Sequence, residues 1–410
     1  TTLIDARVDA SSTRMASPAT THTNAPVDAS STRTASPAST PASPPPRKLI
    51  IDTDPGVDDA FAIALALETM STEVEVLGLT TVFGNVRRDD ATRNARTLVE
   101  MCALAGSWRR EAGARLPVVD GARAPLAALD EDDRSGAGAS TADDSAVFVA
   151  DFVHGEDGFG GVRGAYETRP EESAVEHRAG REAADFIAEM CAKYPGEVTV
   201  LALAPLTNIA LTFRRHPECS ETMGELVVLG GAFEVNGNVN PAAEANILGD
   251  PEAADEVFGA FERTFVVGLD VTTRVRLSGA EIERLETVLR DADAVSPPRR
   301  CSNLLRAFLH DATQFYKAYH LRVADFDGIY VHDPTALLLA LPHVRDAVFT
   351  FRRGAVRVAL ARDCARGAVF LDARRAWLFR NAWSDRPRVS VAVDVDVDAA
   401  LRELRARLGV

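Results

Sequence analysis

Five short runs are apolar along their whole length: KLIID (48–52), VEVLGLTTV (74–82), VTVLALA (198–204), ELVVLGG (225–231) and TFVVGLDVT (264–272). A strand with one wet face alternates apolar and polar side chains, whereas these runs have no polar face to show to water. Between them lie stretches with helical spacing of apolar residues, at 58–68, 89–104, 181–193, 207–215 and 251–261. Fully buried strands separated by helices predict an α/β fold: one open, mostly parallel, twisted sheet of about eight mixed strands, with helices on both faces. Further helices are expected around 278–290 and 300–318, strands near 346–359 and 388–396, and a last helix over 399–408.

The first 46 residues follow another rule. They are rich in Ser, Thr, Ala and Pro, and VDASSTRMASPAT at 8–20 returns as VDASSTRTASPAST at 27–40. Such a segment has too little apolar surface to offset the entropy of ordering it. Residues 1–46 are therefore expected to be disordered and 47–410 to form the folded domain. The net charge of −15 comes with no basic stripe, which argues against a nucleic-acid partner. The acidic stretch 130–144 reads as a solvated loop. Five widely spaced cysteines (102, 191, 219, 301 and 364) form neither a C-x-x-C pair nor a disulfide framework, so a reducing, cytoplasmic setting is expected. Targeting of an organelle by the N-terminal segment stays open. No apolar run is long enough to span a bilayer.

In open parallel sheets, ligands bind beyond the carboxyl ends of the strands. Polar residues follow the apolar runs at those places. IIDTDPGVDDA (50–60) puts Asp52, Asp54, Asp58 and Asp59 within eight residues. Asp52 and Asp54 alternate along the strand and are expected on one face. A single Asp there would read as a helix cap; four carboxylates together call for a hard divalent cation with oxygen ligands. Asn85 follows the second run, and the carbonyls at Leu203-Ala204 end the third before PLTN. Asn236, Asn238, Asn240, Glu244 and Asn246 form a dense amide and carboxylate set after Gly230-Gly231. Such groups match sugar hydroxyls, which both donate and accept. His332 and Asp333 precede Pro334; taken singly, they read as a loop residue and a helix cap.

Taken together, DTDPGVDD, GN, PLTN, LGG with its Asn and Glu-x-Asn residues, DVT and VHDP closely resemble the inosine-uridine nucleoside hydrolase family, over about 47–410. The resemblance implies hydrolysis of the N-glycosidic bond of purine or pyrimidine ribonucleosides, one bound Ca²⁺, and a homodimer or homotetramer. By position, the Ca²⁺ ligands would be Asp54, Asp59, the Leu203 carbonyl and Asp333. Asp58 and Asn85 would hold the ribose; Asn238, Glu244 and Asn246 would bind its hydroxyls, notably on the 5′ side. Asp54 would be the general base and His332, near the leaving base, the acid. Asp52 would support the site without being a ligand. Leu229 stands where the family often has Met, and Tyr316, in the segment 315–320, would face the base. Two other readings have less support. A haloacid-dehalogenase-type phosphatase shares the D-x-D strand end but lacks a well-placed later Lys. A non-catalytic nucleoside-binding protein would not need every proposed ligand.

Overall fold

The computed structural model describes residues 45–69, 72–104, 115–135, 147–167, 173–178, 182–287 and 303–410. Residues 1–44, most of the acidic stretch and Cys301 lie outside these, so the expectations placed on them stay as stated.

Twelve strands are present among the described residues. They are β1 (Arg47–Thr53), β2 (Val74–Thr81), β3 (Leu116–Asp120), β4 (Val175–Arg178), β5 (Val198–Ala202), β6 (Glu225–Leu229), β7 (Thr264–Val267), β8 (Arg276–Ser278), β9 (Gly328–Tyr330), β10 (Phe349–Val358), β11 (Val369–Asp372) and β12 (Val389–Val395). Ten of them form one sheet in the order β11-β10-β12-β7-β6-β5-β1-β2-β3-β4, and β8 and β9 make a separate antiparallel pair. From β12 to β4 every pairing is parallel; only β10 with β12 and with β11 are antiparallel. The α/β class and the mixed, mostly parallel sheet are as the apolar runs predict, with ten strands in place of about eight. The additional short strands lack a long apolar run. β4 reads VEHR, and β11 is an edge strand of four residues.

Side-chain parity on β1 sorts the core into two layers. Leu49 and Ile51 enter one cluster, packed with helices Val57–Ala64, Asn303–Ala324, His332–Leu339 and Val397–Leu408. Ile50 enters the other, with helices Ala183–Lys193, Thr207–Arg215 and Pro251–Ala260. Covering both faces explains why these strands are apolar throughout.

The chain runs from β1 outward through β2, β3 and β4, then returns to β5 on the other side of β1. The reversal opens a crevice at the carboxyl ends of β1 and β5, where such sheets hold ligands. Two local expectations need correction. Pairing of β1 stops at Thr53↔Thr81, and Pro55 follows, so Asp54 lies beyond the pleat and strand parity no longer fixes its direction. The fifth run is strand only to Val267: Gly268 opens a helical turn, Leu269–Thr272.

Candidate active site

The carboxylates at the end of β1 are all buried, and each has its own partners. Asp52 accepts from the Thr80 hydroxyl at 2.5 Å and from Asn208 Nδ2 at 2.7 Å through one oxygen, and its other oxygen has no partner. Burial pushes its pKa up to about 7. Asp54 turns toward the end of β2, where Asn85 donates its backbone N–H (2.6 Å) and its side-chain amide (3.3 Å). Gly84 permits this approach. Its φ is +155°, and a Cβ there would lie 1.9 Å from Asp54 Oδ2. Asp59 accepts from the Thr53 hydroxyl at 2.5 Å, the Gly56 N–H at 3.0 Å and Asn85 Nδ2 at 2.9 Å. It thereby closes the Pro55-Gly56 turn and opens helix Val57–Ala64. Asp58 accepts from the Tyr316 hydroxyl at 3.5 Å.

Asp333, in the first turn of helix His332–Leu339, completes the group. One oxygen from each of Asp58, Asp59 and Asp333 falls within a 4.8 Å span. Burial, then mutual repulsion, drives Asp58 up to about 8 and raises Asp54 and Asp333 well above the usual carboxylate range. A buried all-oxygen set of like charges fits a hard divalent cation. The tight trio contains Asp58 where the resemblance places Asp54, while Asp54 lies alongside, held by Asn85. The Leu203 carbonyl, at the end of β5, accepts from Asn246 Nδ2 at 2.8 Å; Leu229 O accepts from the same amide at 3.2 Å.

The loop after β6 supplies the other wall. Glu244 takes three backbone N–H groups, from Asn246, Gly231 and Ile247, and so caps helix Ala245–Gly249 while fixing the Gly230-Gly231 turn. Asn238 accepts from Ala245 N at 2.9 Å, and Asn240 caps its own turn through Ala242 N and Ala243 N. Asp270, of the DVT segment, takes the N–H groups of Phe233 and Glu234 and anchors the loop from beneath.

These elements enclose a pocket of about 430 Å³. Asp58, Asn85, Leu203, Leu229, Asn238, Glu244, Asn246 and Asp333 line it, together with a group of aromatic side chains. Tyr316 stacks on His154 (centroids 5.0 Å apart, 25° between planes), and His320 meets Tyr316 edge-on at 4.3 Å. His332 borders Tyr330 at 5.6 Å and shares a 2.7 Å hydrogen bond between Nδ1 and the Thr272 hydroxyl. Burial pushes the His332 pKa down to about 3, so the ring rests neutral.

The residues singled out from the sequence thus border the pocket or the carboxylate group behind it, except Asp52, Asn236 and Asn240. His154 was not singled out. Its Nδ1 accepts the Val57 N–H at 3.1 Å, joining the loop His154–Gly161 (HGEDGFGG) to the Asp-rich turn. The signal was that loop's glycines: Gly155, Gly158, Gly160 and Gly161 all have positive φ and fold it back beneath His154. His320, Tyr319, Tyr330, Phe148 and Phe152 were also missed as lining residues. Aromatic residues on a helix carry no signal that tells a pocket from a core.

Residues 49–402 match the family model described as inosine-uridine preferring nucleoside hydrolase. Uridine nucleosidase 1 of Arabidopsis thaliana is 39% identical over 361 residues, 88% of this chain and 93% of its own. A plant nucleoside hydrolase structure superposes with a TM-score of 0.71 at 36% identity, over 88% of this chain and 99% of that one. A purine-preferring ribonucleoside hydrolase from Gardnerella vaginalis gives 0.67 at 30% identity, over 88% and 98%.

Proposed function

We propose, from the premise that this chain belongs to the inosine-uridine preferring nucleoside hydrolase family and is a hydrolase acting on N-glycosyl compounds, that it is a Ca²⁺-dependent ribonucleoside hydrolase using Asp54 as general base. The observation that carries this is a buried carboxylate group bordering a pocket that aromatic side chains also line. A ribose needs the first and a nucleobase the second.

Asp54, Asp59, Asp333 and the Leu203 carbonyl would hold the ion, with Asp58 beside them. When bound, the ion supplies positive charge that offsets the carboxylate repulsion, orients sugar hydroxyls and water, and lowers the pKa of that water. Asp54 takes the proton of the attacking water, a role that its raised proton affinity favours. Asn85, donating to both Asp54 oxygens, fixes the direction of that carboxylate. As water adds to C1′ and the bond to the base nitrogen breaks, the ribose gains oxocarbenium character. Asp58 and its neighbours face that charge from buried positions. Asn246 and Glu244 bind the sugar hydroxyls, with Asn238 at the rim.

His332 stands on the leaving-base side. Its Nδ1 shares a hydrogen bond with the Thr272 hydroxyl; with that hydroxyl as the donor, the ring proton would sit on Nε2, free for the departing base. Tyr316, stacked on His154 and met edge-on by His320, forms the base wall. The proposal extends to a homo-oligomer in a cytoplasmic, reducing setting, with nucleosides rather than nucleic acid as substrate. Among the described residues no helix is long and apolar enough to cross a membrane.

A single turnover in ¹⁸O-labelled water tests the reaction. We expect the label in the released ribose, free base as co-product, and no need for phosphate. Formation of ribose 1-phosphate, with activity dependent on phosphate, would make the enzyme a phosphorylase.

A further inference from the structure

The chain is acidic as a whole, but the loop between β11 and β12, residues 373–388, is basic: five arginines stand against one aspartate. Three of the five are answered by carboxylates. Arg374 meets Asp372 at 3.3 Å, Arg380 meets Asp385 at 2.6 Å and Arg386 meets Asp255 at 3.2 Å. Arg375 is exposed and has no carboxylate partner among the described residues. Arg388 donates to the backbone carbonyls of Arg353, Ala373 and Arg374, which leave its charge uncancelled. Arg374, Arg375, Arg380 and Arg388 border one cleft of about 350 Å³, together with Trp377 and Trp383.

The same loop leaves apolar groups in water. Leu378 is 103% exposed and Phe379 68%, and Phe370 on the edge strand β11 is 50% exposed. The loop is tied down on both sides of that tip. Asp372 accepts from Trp377 Nε1 at 2.7 Å and from Arg374 N at 3.1 Å, and the Arg374 guanidinium lies 4.0 Å from the centre of the Trp377 ring. On the far side, Asn381 N donates to the Ser384 hydroxyl at 3.0 Å and Trp383 N to Asn381 Oδ1 at 2.9 Å. An apolar tip set between Arg375 and Arg380 suits a partner that is apolar and anionic at once. We propose that the loop 373–388 attaches the protein to an anionic lipid surface. Leu378 and Phe379 enter the acyl boundary, Trp377 sits at the level of the headgroups, and Arg375 and Arg388 meet the lipid phosphates. Nucleic acid fits less well, because it asks for a track of unpaired cations and for rings free to stack. Leu378 has no ring, and Arg374 covers one face of Trp377. The negative charge elsewhere on the chain does not prevent attachment, since at physiological salt a charge acts over about 8 Å. The attachment does not depend on the reaction in the pocket.

Sedimentation of the full chain with vesicles tests this, with phosphatidylcholine alone and with phosphatidylcholine carrying about 30% phosphatidylserine. The wild type should pellet with the anionic vesicles, stay in solution with the neutral ones, and bind more weakly in about 0.5 M NaCl. Two of the chain's three tryptophans, Trp377 and Trp383, lie in the loop, so brominated acyl chains should quench its fluorescence. Leu378→Ser combined with Phe379→Ser changes side chains that lie largely in water. It should abolish pelleting and quenching while leaving the circular dichroism melting curve unchanged. Arg375→Glu should weaken binding by about fivefold or more. A wild type that does not pellet with anionic vesicles would overturn the proposal. Equal binding to neutral vesicles, or binding that survives in the double variant, would overturn it too. If the wild type ignores vesicles and the double variant instead loses binding to single-stranded RNA, the loop serves nucleic acid. If the double variant instead dissociates an oligomer, the loop serves a second copy of the chain; either result replaces the lipid assignment.

Discussion

Two residues apart in the sequence, Asp52 and Asp54 are given different tasks by their hydrogen-bond partners. Asp52 ties the ends of β1 and β2 to helix Thr207–Arg215 through Thr80 and Asn208. Asp54 is directed by Asn85 into the carboxylate group. Asp52→Asn keeps an acceptor for both partners and places an amide at the unpartnered oxygen, so kcat should fall less than about tenfold. Asp54→Asn retains the shape but removes the proposed base, and kcat should fall by about 10³-fold or more with the circular dichroism spectrum unchanged. Comparable losses in the two variants would show that the roles are not divided this way. The four acids were legible in the sequence because like charges at that density need a common cause. How the roles divide among them was not, because it depends on where β1 stops pairing and on which donors arrive from β2 and from helix Thr207–Arg215. Glu244 shows the same limit: the sequence marks it as a polar residue near sugar, and its three backbone N–H partners show that it also shapes the loop.

At the scale of elements, strand ends and tight turns bring these groups together, and glycine sets how closely they approach. Gly84 lets the chain after β2 press against Asp54. Gly84→Ala places a methyl group on that carboxylate in a backbone region that side chains rarely adopt. It should destabilise the fold by about 1–3 kcal/mol and reduce kcat/KM at least tenfold, measured by urea unfolding and initial rates. An Ala variant with wild-type stability and activity would mean that this contact does not position Asp54. The apolar runs announced the central strands because both their faces are covered. The edge strands β4 and β11, the β8–β9 pair and the turn at Leu269–Thr272 were illegible for the converse reason: short elements owe their form to neighbours distant in sequence. His154 belongs to the same class, since only the folded HGEDGFGG loop brings it to the Val57 N–H.

For the molecule as a whole, the buried acids link stability to pH and to metal. Asp52, Asp54, Asp58 and Asp333 all have raised pKa values in the folded state, Asp52 to about 7 and Asp58 to about 8. Above the ordinary carboxylate value of 3.8 the unfolded chain has released protons that the metal-free folded chain still holds. Raising the pH through the folded-state values therefore lowers stability. The chelated protein should lose Tm between about pH 4 and pH 8. Millimolar Ca²⁺ should restore it most at the upper end, because the ion binds the ionised carboxylates of the folded state. A Tm that rises with pH under chelation, or that ignores Ca²⁺ at pH 8, would contradict a metal site at this place.

The central claim joins the reaction to that site, and ribose release from uridine, inosine, xanthosine, cytidine and adenosine measures both together. The account predicts free ribose from at least one nucleoside, loss of that activity on chelation, and its return with Ca²⁺. Ribose release that persists after exhaustive chelation would contradict the assignment of the buried carboxylates to a metal. No release from any nucleoside, with Ca²⁺ shown to be bound, would contradict the reaction itself.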